Sequence, residues 1–210
     1  AAVARDADLD VAKAAIVALG KIADPAAWKA IAALPQDTDP ALQPVITEAT
    51  LRCAEARAKS GDAKAAAALY EGILGGAQPT YVRRAALDAL LRLDKTRAQE
   101  RILQVVRGPD SALKPVAIAH VRALPSKNAS DTFAAELPKL APQEQVWLID
   151  SLAARGDAAA SAAIGNSLAS PDASVRRRAV SALGQMGNAW GVPLFTRALD
   201  GTKQADERRE

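Results

Sequence analysis

Residues 170–201, SPDASVRRRAVSALGQMGNAWGVPLFTRALDG, read as one complete helix–turn–helix unit. Ser170-Pro171-Asp172 carries a helix start, and Val175, Ala179, Leu183 and Met186 recur at steps of 4, 4 and 3, the apolar stripe of an amphipathic helix. Gly187-Asn188 breaks that helix. Val192, Leu194, Phe195, Ala198 and Leu199 form a second stripe, closed by Asp200-Gly201. Two helices of this length cannot bury both of their apolar faces on each other. A chain built on such a unit needs copies of it on either side.

The copies are present. Taking the first stripe residue as an anchor, with apolar or small residues 4, 8 and 11 positions later, the anchors are Val11, Val45, Val82, Leu113, Glu144 and Val175, spaced by 34, 37, 31, 31 and 31 residues. The fifth set, Glu144/Leu148/Leu152/Arg155, is imperfect at both ends. The longer first steps coincide with the polar linker Pro35–Pro40 and with the Gly75-Gly76…Pro79 break. The expected repeats are 9–34, 42–75, 81–107, 112–140, 143–169 and 172–201, forming one array over 1–210. Residues 1–8 and 202–210 are expected to be remnants of flanking repeats or tails, so the chain reads as starting inside an array.

The segment VRRRAVSALGQMGNAWGVPLFTRAL resembles the HEAT repeat, in the short form found in phycobilisome-lyase-type proteins. That form has a V-R-x-x-A-x-x-A-L-G first helix, a Gly-Asp or Gly-Asn turn and an A-V-P-x-L-x-x-A-L second helix. Residues 11–34 and 82–106 match it more loosely. The resemblance implies an all-α, right-handed α–α superhelix, a HEAT-like solenoid of about six helical pairs, as part of a longer HEAT-repeat protein. It implies little about function, because such arrays carry unrelated activities.

Composition agrees with close-packed helices. About a quarter of the 210 residues are alanine, the best helix former, and only 3% are aromatic. No apolar run is long enough for a membrane span. Net charge is +3 with both signs interspersed, which argues against a dedicated nucleic-acid arm. The single cysteine, Cys53, excludes an internal disulfide and a cysteine metal cluster; on the first-helix stripe it reads as a buried, inert thiol.

Catalytic groups are sparse. His120 is the one histidine, too few for a histidine metal site, and no G-x-S-x-G, G-x-G-x-x-G or phosphate-binding loop occurs. Deoxyhypusine hydroxylases, an enzymatic HEAT family, hold iron with His-Glu pairs, and His-Glu is absent. No cofactor, metal or small-molecule substrate is therefore expected. Arg176-Arg177-Arg178 reads as a solvated helix face, its first arginine bonding an acidic turn residue of a neighbouring repeat, or as an anion contact. Repeat three is the most basic, with Arg83, Arg84, Arg92, Lys95, Arg97, Arg101 and Arg107 against Asp88, Asp94 and Glu100.

In HEAT arrays the second helices line the concave side. Counting 21 and 22 positions past each regular anchor gives the pairs Ala32-Ala33, Leu103-Gln104, Ala134-Ala135, Gly165-Asn166 and Thr196-Arg197, a small and mostly neutral strip. Trp28, Trp147 and Trp190 read as inter-repeat packing or as interface anchors. The expected function is a non-enzymatic protein–protein interaction scaffold or spacer, with Gln104, Arg107, Asn166, Trp190, Thr196 and Arg197 as candidate partner-binding residues. The alternatives are a nucleic-acid-binding module centred on the basic patches of repeats three and six, and a lyase- or chaperone-like subunit. The partner's identity and the compartment are left open.

Overall fold

A computed structural model of the chain describes residues 8–35, 39–76 and 78–187, with 192, 193 and 196. Among the described residues it holds eleven α-helices and no strand. Contacts divide the chain into two compact units, Ala1–Asp94 and Lys95–Glu210. The boundary falls inside the third expected repeat. The first unit contains α1 (Leu9–Ile22), α2 (Pro25–Ala32), α3 (Gln43–Lys59), α4 (Ala63–Gly75) and α5 (Thr80–Leu93). The second contains α6 (Ala98–Arg107), α7 (Lys114–His120), α8 (Ala129–Ala134), α9 (Pro142–Arg155), α10 (Ala158–Asn166) and α11 (Ala173–Met186).

Aspartate starts five of these eleven helices. Asp8, Asp24, Asp62, Asp157 and Asp172 each precede a helix and accept a hydrogen bond from a first-turn backbone N–H. Those donors have no partner within the helix, and a carboxylate beside the positive end of the helix dipole satisfies them. Pro25 occupies the first position of α2, where its missing N–H costs nothing. At the other end, Gly156 adopts φ 72° and donates to the Leu152 carbonyl, so α9 stops one residue before the Asp157 cap of α10.

In the first unit, α3 packs against α1 and α4, α2 touches both α1 and α3, and α5 packs on α4. The core joins Ala12 and Ile16 of α1 to Ala49, Cys53 and Ala54 of α3, and then to Ala66, Tyr70 and Ile73 of α4. The α1–α3 contact is unusually close. A Cβ added at Gly20 would lie 2.8 Å from both Cα and Cβ of Ala49. This approach fixes the rotation of α1. The buried positions are Ala12, Ile16 and Gly20, one residue out of phase with the expected stripe, while Val11 is 38% and Ile22 62% exposed.

In the second unit, α9 lies between α7 and α11, and α10 packs on α8, α9 and α11. Ile118, Phe133, Leu148, Ile149, Leu152, Ile164 and Leu183 fill the interior. The expected first helix of repeat four is shorter than its pattern. The α-helical part ends at His120, a single 3-10 turn follows at Val121–Ala123, and Leu124 is extended. Pro125 accounts for this, since a residue before proline is pushed out of the helical region.

Gly20 and Gly72 provide a matched test of packing. Replacing Gly20 with Ala should lower stability by about 1 kcal/mol or more, because the clash is with backbone and outweighs the propensity gain. Gly72 sits exposed inside α4, and a Cβ there meets nothing within 4 Å. Gly72→Ala should instead raise stability by about 0.5–1 kcal/mol. Urea titrations of the two variants against the parent chain read both shifts.

Candidate functional site

The charged residues that stood out in the sequence are mostly occupied inside the fold. Glu144, which breaks the apolar pattern at its anchor position, is buried and pairs with Lys114 at 3.1 Å, with side-chain exposures of 11% and 14%. Arg155, the other break, is nearly buried as well. Its Nε donates to Ser130 Oγ at 2.7 Å, Nη1 to the Leu124 and Val121 carbonyls at 2.8 and 3.2 Å, and Nη2 to the Ser126 carbonyl at 3.0 Å. One guanidinium therefore serves the carbonyls left open where α7 and its 3-10 turn end. Ser130 Oγ donates in turn to the Asp157 carboxylate.

The arginine run of α11 is divided. Arg176 donates to the carbonyls of Ser170 and Pro171 at 2.7 and 2.8 Å, on its own turn rather than on an acidic residue of a neighbour. Arg178, the third arginine, is the one that crosses, pairing with Asp150 of α9. Arg177 is exposed. In the basic stretch of repeat three, Arg92 pairs with Asp88 and Arg97 with Glu100. Arg83, Arg84 and Arg101 are engaged as well.

Arg107, a candidate partner contact, is 59% exposed, yet its Nη2 lies 2.6 Å from Oε1 of the buried Glu136. Lys139 Nζ reaches the same oxygen at 3.2 Å. The hydrogen bond from Arg107, aided by Lys139, holds the Glu136 carboxyl below the ordinary glutamate value against the opposing effect of burial. Cys53 is fully buried, and burial pushes its thiol up while Arg57 opposes the shift, which fits an inert core thiol. His120 ends α7, partly buried and engaged.

Clefts with few charged lining residues lie along the second helices, and a larger one, of about 810 Å³, lies on the first-helix side of the first unit, lined by Lys13, Val45, Glu48, Leu51, Gln78 and Tyr81. In the first unit a cleft of about 520 Å³ separates α2 from α4 over α3, lined by Trp28, Ile46, Thr50, Ala68 and Gly72. Trp28 is half-buried, packed on the core and facing this cleft, so its packing role and its availability coexist. In the second unit a cleft of about 600 Å³ runs beside α6, lined by Lys95, Gln99, Leu103, Pro125 and Asn128. A cleft of about 480 Å³ lies between α8 and α10, lined by Asp131, Ala134, Gln145, Ala162, Asn166 and Ser170.

The residues proposed from sequence spread over this surface. Asn166 and Ala134 line the α8–α10 cleft, and Leu103 lines the cleft beside α6. Gln104 is exposed on α6 without lining either cleft. Thr196 is exposed, its hydroxyl donating to the Val192 carbonyl at 3.0 Å. Trp190 and Arg197 lie outside the described residues. Trp147 is partly buried on α9. Asp131 and Gln145 were missed, because counting along the second helix finds neither a first-turn residue of α8 nor a residue of α9. Among the described residues no three or more His, Cys, Asp or Glu side chains gather as a metal site, and no helix is long and apolar enough to cross a membrane.

Residues 175–201 match the family described as PBS lyase HEAT-like repeat. The chain carries a HEAT-like repeat. Comparison with curated proteins found no match. The all-α architecture of the described residues agrees with a HEAT-like helical fold, and Val175, Ala179 and Leu183 of the matched segment are buried as its stripe requires.

Two outcomes follow from these polar contacts. Arg155→Met should cost about 1–3 kcal/mol in chemical denaturation, since it leaves the Leu124 carbonyl without its donor and takes a second donor from the Val121 and Ser126 carbonyls. Arg155→Lys should recover only part of that loss, because an ammonium cannot span the same acceptors. Glu136 has a folded-state pKa below its unfolded one. Its ion pair therefore stabilises fully above the unfolded value, and that contribution is lost as pH falls through the folded one. Stability measured from pH 7 down to pH 3 should fall more steeply for the parent than for Glu136→Gln.

Proposed function

We propose that this chain is a non-enzymatic interaction module that presents its second-helix surface to a protein partner. The observation that carries this reading is a division of labour among side chains. The cations that would serve an anionic ligand are largely committed within the fold, as Arg107 to Glu136, Lys114 to Glu144, Arg155 to carbonyls and Arg178 to Asp150. The second helices carry clefts lined by alanine, glycine, leucine and amides with few charges. Small side chains let a partner backbone approach closely, and an accessible tryptophan such as Trp28 supplies an anchor of the type that concentrates binding energy. HEAT-like architecture supports the same reading at the level of fold.

The test is affinity capture from native lysate with and without nuclease. A protein partner held on the second helices should survive nuclease and be lost on Ala68→Arg where it docks in the first unit's cleft, or on Asn166→Arg where it docks in the second unit's, since each places a long charged side chain in that cleft. It should persist on Arg177→Glu, which reverses an exposed charge on a first helix. Capture that disappears with nuclease, and weakens steeply from low to moderate salt, would replace this reading with nucleic-acid binding through the exposed basic residues.

A further inference from the structure

The cleft between α8 and α10 has a chemical bias that the other clefts lack. Asp131 is the one charged side chain among the described residues lining it. Its carboxylate is exposed and makes no hydrogen bond or ion pair with the described residues. The sequence of α10, AAASAAIGN, contains no charge at all, so nothing on that wall neutralises Asp131. Lys139, which follows the lining residue Pro138, is held on Glu136 instead.

The polar groups around the carboxylate carry no formal charge of their own. Gln145 Nε2 donates to the Leu140 carbonyl at 2.8 Å, which leaves its second N–H and its Oε1 open. The Ser167 hydroxyl donates to the Ala163 carbonyl at 3.1 Å, which leaves its lone pairs. Asn166 has a free amide, with both donor and acceptor capacity. Neutral donors and acceptors thus surround one formal charge, which is negative. The complementary ligand is positively charged at one point and small elsewhere, because Ala159, Ala162 and Ala163 leave room for a backbone rather than for bulky side chains.

We infer that this cleft receives a short polypeptide segment of the partner that seats one arginine or lysine on Asp131. The inference rests on the interaction-module reading and adds the partner's chemistry to it. The carboxylate and Gln145 Oε1 take the cationic head, and the alanine wall of α10 takes the adjoining backbone. Asp131 also lies in the first turn of α8, where a carboxylate favours the helix start. That structural role changes stability and leaves ligand preference untouched, so a change in preference separates the two.

The experiment pans a phage-displayed random heptapeptide library on the full chain and on three variants. Ala162→Trp fills the cleft from an exposed position, Asp131→Asn removes the charge, and Asp131→Lys reverses it. Circular dichroism and melting of each variant confirm that it folds. Clones that bind the parent and not Ala162→Trp are expected to be enriched in arginine and lysine over the library. The best of them, made as a labelled peptide, should bind Asp131→Asn about fivefold more weakly, the upper range for a solvent-facing ion pair, and more weakly in higher salt. Panning on Asp131→Lys should turn the enrichment toward aspartate and glutamate. Cleft-dependent clones without a basic preference would overturn the inference while leaving a docking cleft in place. Clones that all tolerate Ala162→Trp would overturn it too, and their sensitivity to Ala68→Arg would show whether the second-helix reading survives in the first unit.

Discussion

A polar side chain buried between packed helices is met mostly by its own helix or by a residue about one repeat away, and the rest of the structure is arranged around that constraint. The separations in sequence make it visible. Thr47 meets Gln78 at 31 residues, Gln99 meets Thr132 at 33, Arg107 meets Glu136 at 29, Lys114 meets Glu144 at 30 and Arg178 meets Asp150 at 28. Ser151 reaches the Ile118 carbonyl across 33 residues inside the core. A stacked array has only nearest-neighbour contacts, so a side chain that cannot be satisfied by its own helix or by the adjacent pair cannot be satisfied at all. Polar residues survive at core-facing positions where their own helix, as for Ser161, or a residue about one period away, as for Ser151, meets them.

This explains why the fifth repeat departs from the apolar pattern without weakening the stack. A leucine at position 144 would bury well, but the Lys114 ammonium lies opposite and would lose its counter-ion. Arg155 stands where another helix carries an apolar residue because the helix it faces ends early. Proline at 125 turns the chain out of the helix and leaves the Leu124 carbonyl without a helical partner and the Val121 carbonyl with only the 3-10 bond from Leu124. The guanidinium replaces the missing N–H groups. Irregularity in one repeat is thus compensated by a side chain of the next, and the two features are read correctly only together.

Helix positions, turn sites and all-α class were legible because they depend on local signals: period, aspartate caps, glycine and proline. What was not legible depended on the neighbour. The stripe drawn through Val11 and Ile22 is apolar, but close approach at Gly20 decides which side of α1 meets α3, and the sequence around Val11 contains no trace of Ala49. Arg176 was assigned to a neighbouring acidic residue and Arg178 was not, since which of three consecutive arginines crosses to the next helix depends on rotation about the axis. Asn166 was found as a surface residue by counting, whereas Asp131 and Gln145 join it only through the packing of α8 and α9 around α10.

Function is hard to read in such a chain for a related physical reason. The residues with strong chemistry, chiefly arginine and glutamate, are the ones the stack recruits to satisfy itself, and the surface left for a partner is made of residues with almost none. Recognition on an alanine-rich helix layer then depends on shape and on the rare group that the stack leaves unpaired. Arg107 shows the first half of this, exposed in area yet bound to a carboxylate from the next repeat. Asp131 shows the second half. It differs from Asp150, Glu136 and Glu144 in making no ion pair among the described residues, and it lines a cleft whose α10 wall offers neither charge nor bulk. In a repeat built this way, an unmatched charge carries more information about binding than a cluster of matched ones.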